Sequence, residues 1–306
     1  TIKPIDRLLD RNRVITYYIY QTTNGRLFVV VRNTMTEAKN DLKWMMVSDV
    51  HFPRHDPRKV ELFLKVMKWF KPDVVDYAGD TDDQACYSKY TEGRSAEFLK
   101  LHKDENGQQI VPLMQHEAKL ARDFYAKTRK VAGKDAQLFS ALGNHDIRVF
   151  DYIDAKLPDY INAVTPETLW NLDSLGYEYI YYNELPKRRF GDMHIHHGIA
   201  ISQNAGESVK KDIDNFGVSL IRGHSHRAGV MYQTYELRNN GKGEILRGYE
   251  LGHMCDEKSD GMKYSTTHNW QKAFAIAHIV NDYPHIQMIH VAPDYSCVVD
   301  GKLFTL

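Results

Sequence analysis

Hydrophobic positions along the chain fall in short runs, and each run predicts one element. Val14 to Gln21 and Arg26 to Arg32 are β-branched and aromatic and flank Asn24-Gly25, so they predict an N-terminal hairpin. Leu42 to Ser48 is a brief apolar run ending in polar residues, which predicts a strand. Pro57 to Phe70 carries Val60, Leu62, Phe63, Leu64, Val66 and Met67, a helical spacing with proline in the first turn. Asp73 to Ala78 predicts a second strand. Strand, helix, strand in this order predicts a parallel βαβ unit.

Residues 84–135 read as a polar, mostly helical insert broken at Asn106-Gly107, with its strongest helix over Leu113 to Val131. The insert is longer than a crossover needs, which suits a cap or a subunit contact. Ala136 to Leu142 predicts a third strand, and Asp151 to Ser174 is helical or irregular. The remainder predicts strands over Tyr177 to Tyr182, Arg188 to His197, Val218 to Arg222, Val230 to Leu237, Ile245 to Leu251, Ala273 to Val280 and Ile286 to Val291. Asp282-Tyr283-Pro284 reads as the turn joining the last two. The predicted fold class is α/β, two sheets packed face to face with helices outside. It forms a single domain over residues 1–306, with residues 1–40 as a hairpin extension.

Composition narrows the function. Lys and Arg number 40, Asp and Glu number 40, and the formal charge is zero. A DNA-wrapping surface would need an excess of cations, so it is not expected, although a local basic groove stays open. Cys86, Cys255 and Cys297 are far apart and form no CxxC pair, which suits a reducing compartment without disulfides. No run approaches the roughly 18 apolar residues of a membrane span, and residues 1–13 hold no apolar signal core. The expectation is a soluble, cytoplasmic protein with no membrane partner. Histidine, at 15 residues, is abundant and clustered.

Five short motifs follow predicted strands: Asp49-Val50-His51, Gly79-Asp80-Thr81-Asp82-Asp83, Gly143-Asn144-His145-Asp146, His196-His197-Gly198 and Gly223-His224-Ser225-His226. In open α/β sheets the carboxyl ends of the strands converge on one crevice, so these residues would meet. Taken singly each motif is weak, because an isolated Asp or His is more often a hydrogen-bonded structural residue and an isolated Gly often marks only a turn. Five in order, each at a strand end, are not. Carboxylates, one amide oxygen and several imidazoles form a mixed O/N donor set, which suits Mn²⁺, Fe or Zn²⁺ better than Ca²⁺ or Mg²⁺ alone. A single tetrahedral ion would leave several donors unused, whereas two ions sharing one carboxylate would use them all.

The stretches SDVHF, AGDTDD, LGNHD, HIHHG and RGHSH resemble the calcineurin-like metallophosphoesterase superfamily, whose pattern is DxH, GDxxD, GNH[DE], a strand-end His and GHxH. The resemblance spans Asp49 to His226. It implies a two-sheet αββα sandwich and a site for two divalent ions, Mn²⁺ foremost, with Fe, Zn²⁺ or Mg²⁺ as alternatives. One ion would be held by Asp49, His51, Asp80 and His226, the other by Asp80, Asn144, His197 and His224. His145 would be the catalytic imidazole, oriented by Asp146. His196 stays open as the alternative to His197, since strand alternation puts the two on opposite faces. Asp83 is expected to orient a ligand imidazole rather than bind metal.

The implied activity is hydrolysis of a phosphomonoester or phosphodiester, with a small phosphorylated, nucleotide-type molecule as the expected substrate. Arg148 and Arg227 are the foremost candidates for a guanidinium on the substrate phosphate, ahead of Arg54 and Arg222. Protein phosphatases of the superfamily have GDxxDRG, but Gln84-Ala85 stand here, which argues against that branch. A nuclease acting on nucleic acid ends and a non-catalytic metal-binding scaffold remain the alternatives. Within Gly252 to Trp270, His253, His268 and Trp270 are candidates to line the pocket, and a solvated loop is the plain alternative.

Overall fold

The computed structural model describes residues 4–10, 13–21, 27–34, 41–88, 103–108, 113–236, 243–259, 262 and 268–306, the first three segments as backbone. The chain forms two compact units, Thr1–Asp41 and Leu42–Leu306.

The first unit is an antiparallel meander of β1 (Pro4–Asp10), β2 (Arg13–Gln21) and β3 (Leu27–Thr34). The β2–β3 pair is the predicted hairpin, with Val14 opposite Thr34 and Gln21 opposite Leu27. Its Asn24-Gly25 turn lies outside the described residues. Strand β1 pairs Asp10 with Arg13 and was not signalled, because Asp6, Arg7 and Asp10 break its apolar pattern.

The second unit is mixed α/β, with two main sheets flanked by helices. Its larger sheet uses β4 (Leu42–Val47), β5 (Val74–Tyr77), β6 (Gln137–Ala141), β7 (Tyr177–Ile180), β13 (Ala273–Val280) and β14 (Tyr283–His290), in the order β14-β13-β4-β5-β6-β7. Strands β4 to β7 are mutually parallel. The smaller sheet runs β11-β12-β10-β9-β8, from β8 (Lys187–Phe190), β9 (Met193–Ile195), β10 (Ser219–Arg222), β11 (Ala228–Tyr235) and β12 (Glu244–Leu251). A short hairpin, β15 (Cys297–Val299) and β16 (Lys302–Phe304), ends the chain.

Strand alternation sorts the core into layers. Trp44, Met46, Phe139, Ala275 and Ala277 from the larger sheet pack with Met193, Ile195, Ile221, Tyr249 and Leu251 from the smaller one. The intervening Met45, Val47, Val75, Tyr77, Phe274 and Ile276 face the other way, toward α1 (Pro57–Phe70) and α2 (Leu113–Ala132). Outside the smaller sheet, Val209 and Ile213 of α5 (Glu207–Phe216) cover Leu220 and Leu246. Burying a side chain of this size stabilises the fold by about 1.5–3 kcal/mol.

Helix α1 begins where the sequence places it. Asp56 caps it by accepting from the Arg58 amide at 3.0 Å, Pro57 occupies the first turn, and Lys71 closes it in a left-handed conformation. The helix of the 84–135 segment, α2, is the β5–β6 crossover, with Ala118, Ala121, Phe124 and Tyr125 buried against the sheet. Residues 89–102 and 109–112 of that segment lie outside the described residues. Residues 151–174 hold the end of α3 (Arg148–Lys156), a 3-10 turn at Pro158–Ala163, and α4 (Pro166–Trp170). Among the described residues no helix is long and apolar enough to cross a membrane. All three cysteines are free.

Two boundaries differ from the sequence reading. The single strand expected over Arg188 to His197 is a hairpin, β8 and β9, turned at Gly191, whose φ is +53°. The final turn sits at Asn281 and Asp282, both left-handed, and Tyr283 and Pro284 belong to β14. A proline is tolerated there because β14 is the edge strand.

One polar contact crosses the apolar layer between the sheets. The Asp76 carboxylate accepts from Trp44 Nε1 at 2.9 Å and from Arg189 Nε and Nη2 at 2.7 and 2.9 Å, with no exposure. Burial pushes its pKa up, against the opposing pull of Arg189. Removing one partner of a buried pair leaves the other charge uncompensated. Asp76→Ala is therefore expected to destabilise the protein by about 3–5 kcal/mol in urea unfolding. A loss below about 1 kcal/mol would show that the pair is dispensable.

Candidate metal centre

All five motifs sit where strands end. Asp49 and His51 follow β4, Asp80 follows β5, Asn144 and His145 follow β6, His197 follows β9, and His224 and His226 follow β10. The chain turns sharply at each exit. Asp49, His51, Asp80, His224 and His226 have φ of +54°, +57°, +53°, +70° and +58°. A left-handed backbone costs a non-glycine residue about 1–2 kcal/mol, and such strain gathers at functional sites. Backbone bonds between the exits hold it: Asp49 N–H to Gly79 O at 3.0 Å, His51 N–H to Asp80 O at 2.9 Å and Gly223 N–H to His197 O at 3.1 Å.

Two donor clusters flank Asp80, and a third group, His51, Asp83 and His145, adjoins them. In the first, His226 Nε2 lies 3.2 Å from Asp49 Oδ1 and 3.1 Å from His51 Nε2, and His51 Nε2 is 3.8 Å from Asp80 Oδ2. In the second, His197 Nε2 is 3.1 Å from Asp80 Oδ2 and 3.2 Å from Asn144 Oδ1, and a donor atom of His224 lies within 4.8 Å of those of Asp80 and His197. Asp80 Oδ2 thus stands between the clusters. Apart from partly exposed Asn144 and His224, these residues are buried.

Donor chemistry tests whether these residues fit cations. His51 gives its Nδ1 proton to Asp83 Oδ1 at 3.0 Å, and His197 gives its Nδ1 proton to the Ala78 carbonyl at 2.6 Å. Both rings therefore turn Nε2 toward carboxylate oxygens. Ring nitrogens and carboxylate oxygens packed this closely need a proton or a cation among them, so the set fits divalent ions. Burial is the strongest influence on Asp49 and Asp80 and pushes their pKa values up. The surrounding imidazoles outweigh it and hold both carboxyls well below the usual range. Burial, reinforced by His197, pushes His224 down to about 3, which favours its neutral, ligating form. The motif set resembles that of the calcineurin-like metallophosphoesterase superfamily, and the structure brings its residues together at the strand ends.

No protein-family model matches the chain. It is 26% identical over 268 residues to the Gene 54 protein of Mycobacterium phage D29 and 25% identical over 264 residues to the Gene 54 protein of Mycobacterium phage L5. Each match covers 84% of this chain and 94% of the relative. Among solved structures, it is similar to wild-type Vps29 complexed with Zn²⁺ from Entamoeba histolytica, with a TM-score of 0.39 and 14% identity over 86% of this chain and 96% of that one. It is also similar to YfcE, a phosphoesterase from E. coli, with a TM-score of 0.36 and 12% identity over 84% of this chain and 97% of that one.

The packing of the motifs also explains their glycines. A Cβ on Gly143 would fall within the Asp80 carboxylate, one on Gly223 within Ser48 and Asp49, and one on Gly79 within the His197 ring. At Gly143 and Gly223 the requirement is space, not a left-handed backbone.

Of the two adjacent histidines, the structure brings His197 to the cluster. His196 donates from Nε2 to the Tyr182 carbonyl at 3.0 Å and accepts the Gly198 amide at Nδ1 at 2.9 Å, so both its nitrogens are occupied elsewhere. Asp83 bonds more than one ring. Besides His51, its Oδ1 accepts His145 Nδ1 at 2.5 Å, and its Oδ2 accepts from Arg54.

Asp146 corrects the sequence reading. It does not orient His145. Its two oxygens accept the amides of Gly143, Asp80 and Asp82, each at 2.8 Å, so it pins the second motif to the third. In this tight turn Asp146 points inward beneath the loop while His145 points into the cleft, 22% exposed. Arg148 donates from Nη2 to His145 Nε2 at 2.9 Å and from Nη1 to the Asp83 carbonyl at 2.8 Å, which places its guanidinium beside the catalytic candidate. Arg227 instead donates to the backbone carbonyls of Gln203 and Ser225 at 2.9 and 3.0 Å. Arg222 pairs with buried Asp212 at 2.8 Å, behind the ligand strand.

Arg54 was undervalued by sequence, and its position three residues past His51 was the only signal. The carbonyl that orients His197, Ala78, left none.

Proposed function

We propose that this protein is a phosphoesterase that uses two divalent ions, Mn²⁺ foremost, to hydrolyse a phosphomonoester or phosphodiester of a small, nucleotide-type molecule. The observation that carries this reading is the placement of Asp80 Oδ2 between two donor clusters, with partly exposed His145 beside them. Asp49, His51, Asp80 and His226 would hold one ion, and Asp80, Asn144, His197 and His224 the other. Two such ions would supply acidic bound water and offset negative charge on phosphoryl oxygens.

This chain's own residues supply the rest. Asp83 fixes the Nδ1–H tautomers of His51 and His145 through one oxygen. His145 Nε2 then faces Arg148 and the cleft, where it can hold or pass a proton to the departing oxygen. The Arg148 guanidinium would turn its donors to the substrate phosphate. Arg227 remains a substrate-contact candidate by sequence proximity alone. A cytoplasmic setting belongs to the same reading, supported by three free thiols.

The test is hydrolysis of bis-p-nitrophenyl phosphate and p-nitrophenyl phosphate after loading with Mn²⁺. Turnover of either, abolished by chelation and restored by Mn²⁺, is the expected result. Two bound ions with no turnover of either ester would favour the scaffold alternative.

A further inference from the structure

Three rings stand in a row beside the first donor cluster. The Trp270 ring lies 4.5 Å from that of His226, centroid to centroid, at an interplanar angle of 68°. His268 stacks on Trp270 at 4.1 Å and 23°. His226 is buried, Trp270 half-buried and His268 exposed, so the row leads from the candidate ligand to solvent. Buried His253 backs it, 5.5 Å from His226 and 5.8 Å from Trp270.

The row is held in place from outside. Gln271 donates its amide to the His226 carbonyl at 3.0 Å, and its side-chain oxygen accepts the Ala228 amide at 3.0 Å. Its Nε2 donates to Asn269 Oδ1 at 2.9 Å, and Asn269 in turn donates to the Gln203 carbonyl at 2.9 Å. Trp270 is thus fixed against a candidate ligand instead of filling the core as Trp44 and Trp170 do, both with no exposure. A stacked Trp–His pair at the rim of a cluster of cation donors offers flat π surface where the rest of a phosphoester would extend. Stacking of a planar base on such a surface is sequence-tolerant and strong enough to select for a base.

We propose that Trp270 and His268 form a stacking subsite for the nucleobase of a nucleotide whose phosphoryl group sits at the donor clusters. The proposal rests on the phosphoesterase reading for the phosphoryl end and adds the recognition of the far end.

The experiment is calorimetric titration of the Mn²⁺-loaded protein with adenosine 5′-monophosphate and with ribose 5-phosphate, which lacks only the base. The wild-type protein is expected to bind the nucleotide about tenfold or more tightly than the sugar phosphate, the scale of one base stack. Trp270→Ala should erase that preference and Trp270→Phe should keep most of it, with circular dichroism and Mn²⁺ content showing both variants folded and loaded. Should Trp270→Ala not fold, His268→Ala must narrow the preference. Equal affinities in the wild type, no binding of either compound, or a preference that survives these alanine variants would overturn the subsite. Hydrolysis of bis-p-nitrophenyl phosphate separates the two ideas. Turnover without a base preference removes the subsite alone, and a base preference without any turnover removes the phosphoesterase reading alone.

Discussion

His197→Ala is expected to empty the second donor cluster and abolish phosphoester hydrolysis, while His196→Ala keeps both ions and most activity. The structure gives the two neighbours opposite surroundings. His197 offers Nε2 to Asp80 and Asn144 because its Nδ1 proton is taken by Ala78. His196 has both nitrogens bonded to Tyr182 and Gly198. Removing one donor of four leaves an open, weakly held site, whereas His196→Ala strands two backbone groups and costs about 1–3 kcal/mol of stability. Elemental analysis of both variants decides it. Loss of an ion in His196→Ala with full occupancy in His197→Ala would place the wrong residue at the centre.

The second large effect concerns His145. His145→Ala should lower turnover by about 10² or more, the usual scale for a positioned proton donor or acceptor, with ion content unchanged. Asp83→Ala should be worse, because one carboxylate oxygen serves both His145 and His51. It is expected to lose turnover and to weaken the first ion by about 10–100-fold, the cost of removing a partner that orients a ligand. Asp146→Asn provides the contrast. It disturbs the amides of Gly143, Asp80 and Asp82 but not the His145 ring. If His145→Ala sheds an ion, His145 is a ligand, and the role assigned to it is wrong.

Much of this site was legible because its chemistry lies at strand ends. The strand pattern put Asp49, Asp80, Asn144, His197 and His224 at the exits of buried runs, and the parallel order of β4, β5 and β6 brings the first three exits together. Side-chain direction inside a tight turn was not legible. Asp146 and His145 are adjacent, and no periodicity says which one points into the cleft. Nor could sequence show that Asp83 serves two rings, since that depends on how β4, β5 and β6 stand side by side.

In the fold, the misread elements have local causes. The β15–β16 hairpin turns on Asp300-Gly301, left-handed at +47° and +75°, a hairpin dipeptide flanked by strands of only three residues each. Pro284 looked like a turn residue because proline is excluded from central strands, but β14 lies at the sheet edge. Charged residues in Pro4–Asp10 hid a strand whose backbone pairs with β2.

The shared carboxylate is the centre of this account, and counting ions tests it most directly. Elemental analysis of the wild-type protein, mildly purified and equilibrated with Mn²⁺, should give two ions per chain. The same measurement on Asp80→Ala should show both sites depleted, because Asp80 Oδ2 lies within 3.1 Å of His197 Nε2 and 3.8 Å of His51 Nε2. A wild-type protein that holds at most one ion, or an Asp80→Ala variant that still holds two, would contradict a centre built on a bridging carboxylate.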